Sequence, residues 1–195
     1  MSHRNIVIKY RQMKKIIAIL LLSTLFFTVA AQEKNKKKLT REEKKELRRQ
    51  QKEEAEKLVT AMIESRQFVL LADNIQSRQG RTFPVSSNIN FVLVDSNEAV
   101  FQFGSVRLIG INGIGGITVE GKITYYDVKK YEKSGAYYIK MTISTSTGFY
   151  DIKFNISSTG VADAEVESTM AGGGFSYLGR IVPAHQSRYY KGTSF

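Results

Sequence analysis

Cysteine and tryptophan are absent from this chain, and histidine occurs only twice. The missing cysteine excludes disulfides, thiolate metal sites, a cysteine nucleophile and a lipidated N-terminal cysteine. Stability must then come from packing alone, which a domain of roughly 130 residues can supply. Once the leader is removed His185 is the single histidine. One imidazole cannot build a His-rich metal site, and no spaced carboxylate accompanies it, so it reads as a tail or surface residue. The missing tryptophan weakens any reading of the chain as a sugar-stacking surface.

Complete catalytic motifs are absent too. The glycine cluster Gly110–Gly116 invites a phosphate-loop reading, but Thr118 stands where the third glycine of a dinucleotide loop belongs. A strand follows it, not a helix. The cluster reads as a turn or bulge entering that strand. Ser176 is one residue out of register for a nucleophile elbow. Asp163, Glu165 and Glu167 share one strand face and read as a solvated row. Hydrolytic chemistry would need carboxylates that only the fold brings together.

What is present begins with charge, and its position matters more than its size. The formal net charge is +11. Residues 1–66 hold 17 Lys and Arg against 8 Asp and Glu, and residues 67–195 hold 12 against 10. The basic character sits ahead of the folded part, which argues against nucleic acid as a partner despite a pI near 9.7. A hydrophobic fraction of 42% is enough for a core.

Residues 1–31 carry the parts of a cleavable secretory signal. Lys14 and Lys15 precede an apolar run from Ile16 to Val29, and Ala30-Ala31-Gln32 offers small residues for cleavage after Ala31. The run is shorter than the roughly 20 residues that a membrane span needs. Met13 stands as a candidate true start. The expectation is an exported, non-lipidated protein free in the periplasm, with no stable membrane span after processing.

Residues 32–66 form a charged helical segment. Thr40 and Glu43 have the spacing of a capping box. Ala55, Leu58, Val59, Met62 and Ile63 make an apolar stripe on the last turns. The segment reads as a helix whose end docks on the domain. A basic arm for anionic polymer or lipid, or a dimerising segment, are the other readings of its first turns.

From residue 67 to 195 the period becomes two. Ile117 to Tyr125, Tyr137 to Ser144 and Tyr150 to Ser157 alternate apolar with polar, and 68–72, 89–95, 99–104, 161–169 and 174–182 are further strands. Short turns such as Asp95–Glu98 and Ser158–Gly160 make successive strands antiparallel neighbours. The fold class is therefore mainly β: an antiparallel meander of about eight strands after one N-terminal helix. A barrel-like sheet and a two-sheet sandwich both hide its edges.

The order of leader, charged helix, Gln67-Phe68-Val69-Leu70 and Ser87–Phe91 continues into Gly116-Ile117-Thr118-Val119-Glu120-Gly121 and a late Gly179–Pro183. Over roughly residues 34–192 this resembles the Bacteroidetes family known as domain of unknown function 4251. The resemblance implies a small exported protein of a Gram-negative envelope and carries no catalytic residues to transfer.

Tyrosine is the one surplus with chemical interest. Adjacent tyrosines in a strand point to opposite faces, so Tyr126 and Tyr138 are expected outside while Tyr125 and Tyr137 pack inside. Tyr126, Tyr138 and Tyr177 are the candidate ligand-contacting residues, since tyrosine gives contact area at low entropy cost. Tyrosine is equally a good strand former. The functional expectation is a non-enzymatic periplasmic binding protein for a small ligand or an envelope partner, with no cofactor and no metal. The alternatives are an assembly role through the charged helix and a carboxylate-type hydrolase. Oligomeric state is left open.

Overall fold

The computed structural model describes residues 40–105, 115–169 and 174–194. Helix α1 runs Arg41–Ser65. Its start is the expected capping box: Glu43 N–H donates to Thr40 Oγ1 at 3.2 Å, and Thr40 N–H donates to Glu43 Oε2 at 2.8 Å. Among the described residues nine strands follow: β1 Gln67–Ser77, β2 Thr82–Pro84, β3 Phe91–Asp95, β4 Glu98–Phe103, β5 Ile117–Tyr131, β6 Ala136–Thr145, β7 Gly148–Ile156, β8 Val161–Ser168 and β9 Gly174–Pro183.

Each strand pairs antiparallel with its neighbour, and β9 returns to pair with β1 along nearly its whole length. Eight strands, β1 and β3 to β9, thus close a barrel and leave no long edge, which decides between the two layouts the meander allowed. The short β2 extends the wall by pairing with Asn74–Gln76 of β1. Two glycines make the closure possible. A Cβ on Gly179 would collide with the Leu71 carbonyl where β9 crosses β1, and one on Gly121 would collide with the Ser144 carbonyl where β5 bends over β6.

Eight strands enclose a space that side chains just fill. Leu70, Phe101, Ile139, Met141, Ile152 and Phe154 occupy it. Phe68 of β1 meets Phe154 of β7 edge-on across the barrel, with centroids 5.6 Å apart. One end is sealed by α1. Val59, Met62 and Ile63 are buried in the same core, and Thr60 Oγ1 shares a 2.9 Å hydrogen bond with the Tyr137 hydroxyl. Leu58, expected in the docking stripe, is 49% exposed. At 100° per residue it lies about a quarter-turn from the centre of the arc that Val59, Met62 and Ile63 define, and roughly 40° beyond its edge.

The outer wall carries polar pairs beside exposed apolar side chains such as Tyr125, Phe149 and Val161. Lys153 of β7 donates to Glu167 at 2.8 Å and Glu165 at 3.4 Å on β8, and Asn155 donates to Asp163 at 2.8 Å. Such a wall differs from the apolar lipid face of a membrane barrel. Among the described residues no helix is long and apolar enough to cross a membrane. The C-terminal segment straps the outside of β3 to β5. Tyr189 lies 4.8 Å from Phe91, and the buried Gln102 amide donates to the Ile89 and Tyr190 carbonyls while accepting from Thr118 Oγ1 and Gly192 N–H.

Candidate ligand site at the barrel mouth

The end opposite α1 is built from the last residues of β1, β4 and β8 and the first of β5, β7 and β9. Strand β1 reaches this end through a bulge. Asp73 is an extra residue between Ala72, opposite Gly179, and Asn74, opposite Leu178. The bulge moves the inward parity from Phe68, Leu70 and Ala72 to Ile75 and Ser77. The chain then turns: Ser77 N–H donates to the Arg81 carbonyl, Gly80 N–H donates to the Ser77 carbonyl, and Gly80 takes the left-handed conformation such a turn favours. Strand β2 returns Phe83 and Val85 to the rim.

A cavity of about 450 Å³ lies here, lined by Ile75, Phe83, Val85, Phe103 and Phe175 and by the more polar Ser77, Arg78 and Gln79. That volume lies within the range of small-molecule sites, roughly 300–1,000 Å³. Phe103 of β4 and Phe175 of β9 are in ring contact at this end, with centroids 5.7 Å apart, and Tyr177 packs on Phe175 at 5.2 Å. Phe83 is 53% exposed, Ile117 42% and Phe103 36%. Inward-facing apolar residues are therefore left partly wet at this end.

The polar groups are few. Ser77 Oγ is covered and has no hydrogen-bond partner among the described residues. The Tyr177 hydroxyl, in a residue with 0% exposure, is in the same position, and burial raises its pKa well above that of a free phenol. The Arg78 guanidinium sits 3.8 Å from Glu167, whose other oxygen is held at 2.8 Å by Lys153. The hydrogen bond to Glu167, more than any other contact, raises the Lys153 pKa.

The three tyrosines named from the sequence are not brought together. Tyr177 lies inside the barrel. Tyr138 faces outward on β6, opposite Lys129 and Asn155, as expected. Tyr126 is a correction: it turns inward and packs on the core, while Tyr125 is 49% exposed. The cause is a second bulge. Thr124 is an extra residue between Ile123, opposite Ile143, and Tyr125, opposite Thr142, and it reverses the alternation beyond it. The Arg66 guanidinium covers the Tyr126 ring at 4.3 Å. Burial pushes the Tyr126 pKa up to about 12, with the Arg66 charge opposing.

Asp163, Glu165 and Glu167 line the outer wall, paired with Asn155, Lys153 and Arg78. They do not face each other across a cleft as a glycosidase pair does. Among the described residues no three His, Cys, Asp or Glu side chains cluster for a metal ion. His185 lies in a short exposed turn, Ala184–Gln186. Most of the Gly110–Gly116 cluster lies outside the described residues. The mouth's own residues were missed by sequence reading, because Ile75, Phe83 and Phe103 carry no chemical signature until bulges and closure set them round one opening.

Residues 50–181 match the family described as domain of unknown function (DUF4251). A solved structure of a DUF4251 family protein from Bacteroides eggerthii DSM 20697 is 27% identical, with a TM-score of 0.58, over 68% of this chain and 90% of that one. No curated protein matches the chain.

Proposed function

The chain belongs to the DUF4251 family, and from that premise we propose that it is a non-catalytic binding protein that takes a small, largely apolar ligand in the barrel mouth. The observation that carries this is the pair of half-wet rings Phe83 and Phe103, which with Ile75, Val85 and Phe175 line a cavity of about 450 Å³. Soluble domains rarely leave a contiguous apolar patch uncovered unless something binds it. The lining belongs to the inner wall, where the same kinds of residue are otherwise buried. Titration of the full chain with the neutral fluorophore N-phenyl-1-naphthylamine should give saturable, one-to-one enhancement. Phe103→Glu should weaken it at least tenfold by placing a charge at the opening. Non-saturable enhancement, or enhancement indifferent to Phe103→Glu, overturns the reading.

The place of action is proposed to be the periplasm. The support is the basic, apolar and small-residue order of residues 14–31. N-terminal sequencing of protein from the envelope fraction should begin at Gln32. A mature chain that still carries the apolar run overturns the assignment.

A further inference from the structure

We propose that the ligand of the mouth is an aliphatic monocarboxylate, its chain against the apolar ring and its carboxylate on Arg78. This rests on the mouth being a ligand site. The polar lining is one-sided. Ile75, Val85, Phe103 and Phe175 supply walls with nothing to hydrogen-bond, while Ser77 and Arg78 sit together where β1 enters its turn. Many-sided polar molecules such as sugars find too few partners on such walls. A chain with one polar end finds one place for that end.

The sign of the end follows from the charges. Arg78 is the cation lining the cavity, and Glu167 faces it at 3.8 Å. Glu167 is engaged more closely by Lys153, at 2.8 Å on the outer wall. An arriving carboxylate can take the guanidinium and leave Glu167 with its shorter partner, so no acid is stranded. Guanidinium and carboxylate pair through two parallel N–H donors, which fixes the head of the ligand as well as holding it. A cationic head would meet Arg78 with Glu167 already neutralised. Ser77 adds a second group. Its hydroxyl is covered, has no partner among the described residues, and shares the inner face with Phe175, its register partner on β9. A rotation about χ1 lets that hydroxyl donate to a carboxylate oxygen and ends its unpaired state.

The test uses the full chain and two probes of equal length, decanoate and decanol, by calorimetric titration. Decanoate should bind at least tenfold more tightly than decanol. Arg78→Gln should bring the two within about twofold of each other by weakening decanoate alone, and Arg78→Lys should keep part of the preference. Glu167→Gln, which removes the competing acid, should tighten decanoate a few-fold. An unchanged amide NMR spectrum away from the turn shows that each variant has kept its fold. If decanol binds as well as decanoate and Arg78→Gln alters neither, the carboxylate assignment falls while the apolar site stands. If neither probe binds, the apolar site itself falls and the assignment with it.

Discussion

The two ends of the barrel are made from the same strands, and both carry inward-facing apolar residues, yet only one of them is covered by a helix. At the α1 end Val59, Met62 and Ile63 lie over the inner wall, and Phe68 and Tyr137 beneath them are buried. At the mouth Phe103 and Ile117 continue the inward positions of β4 and β5, and both stay more than a third exposed. A strand period fixes which face a residue takes but not whether anything lies beyond the last one. Burial at the sealed end is supplied by a helix of under three turns, from Leu58 to Ser65. What the difference teaches is that contacts among the described residues do not fully bury the apolar positions at the mouth. They are the part of the inner wall that the chain's own described residues leave uncovered, and so the part open to something else.

The largest test of this contrast removes apolar bulk at each end. Ile63, 2% exposed, is part of the main core. Ile63→Ala should destabilise the protein by about 2–5 kcal/mol, as deletion of buried aliphatic groups does. Phe103, larger but already 36% exposed, should cost less, about 1–2 kcal/mol as Phe103→Ala, because about a third of its surface is wet in the folded state and no closed cavity forms. Urea midpoints at constant slope measure both. If the two losses are equal, the mouth is ordinary core and the contrast is broken.

The parts of the fold read most directly from the sequence are those where alternation is uninterrupted. Residues 137–144 and 150–157 give β6 and β7, and Thr40 and Glu43 give the start of α1. Both failures of register come from single inserted residues. Asp73 ends the legible part of β1 at Ala72, although the strand runs on to Ser77. Thr124 reverses Tyr125 and Tyr126. A bulge is a property of two paired strands, so one strand's sequence does not announce it. Strand β2, Thr82–Pro84, is three exposed residues long and has no period to read. The mouth was illegible for the same reason. It depends on the parity change at Asp73, on the return of Phe83 and Val85, and on β9 closing against β1. The glycines that carry the family resemblance are legible in retrospect, since Gly121 and Gly179 stand where a side chain would strike the neighbouring strand.

A pH titration sharpens the contrast from the sealed side. Tyr126 lies under Arg66, the residue that joins α1 to β1, and its hydroxyl is buried without a partner among the described residues. Its pKa is about 12 in the folded protein against 10.0 when unfolded. Between those values the folded state still holds a proton that the unfolded state has lost, so stability falls as pH rises through this window. Below pH 10 Tyr126 adds no slope. The fall should amount to at most about 2 kcal/mol, allowing for partial exposure of the ring. Denaturant midpoints from pH 9 to 12 should show it, and Tyr126→Phe should flatten its share. Tyr177 titrates in the same direction and leaves a residual slope. An unaltered slope in Tyr126→Phe would mean that the phenol is not held protonated beneath Arg66.

The smallest expected effect is also the one with an unusual sign. Tyr177 is fully buried between the filled part of the barrel and the mouth, and its hydroxyl has no partner among the described residues. Removing a buried hydroxyl that is already unpaired breaks no hydrogen bond and relieves a desolvated polar group. Tyr177→Phe should therefore leave stability unchanged or raise it by up to about 1 kcal/mol. The ring contact with Phe175 at 5.2 Å is retained in the variant, so packing does not mask the result. Had the same change been made at Tyr137, whose hydroxyl bonds Thr60 at the sealed end, the sign would reverse, with a loss of about 1 kcal/mol. A loss on Tyr177→Phe as large as that at Tyr137 would show that the hydroxyl has a partner, such as a bound water, and that the inner wall near the mouth is as well satisfied as the end that α1 covers.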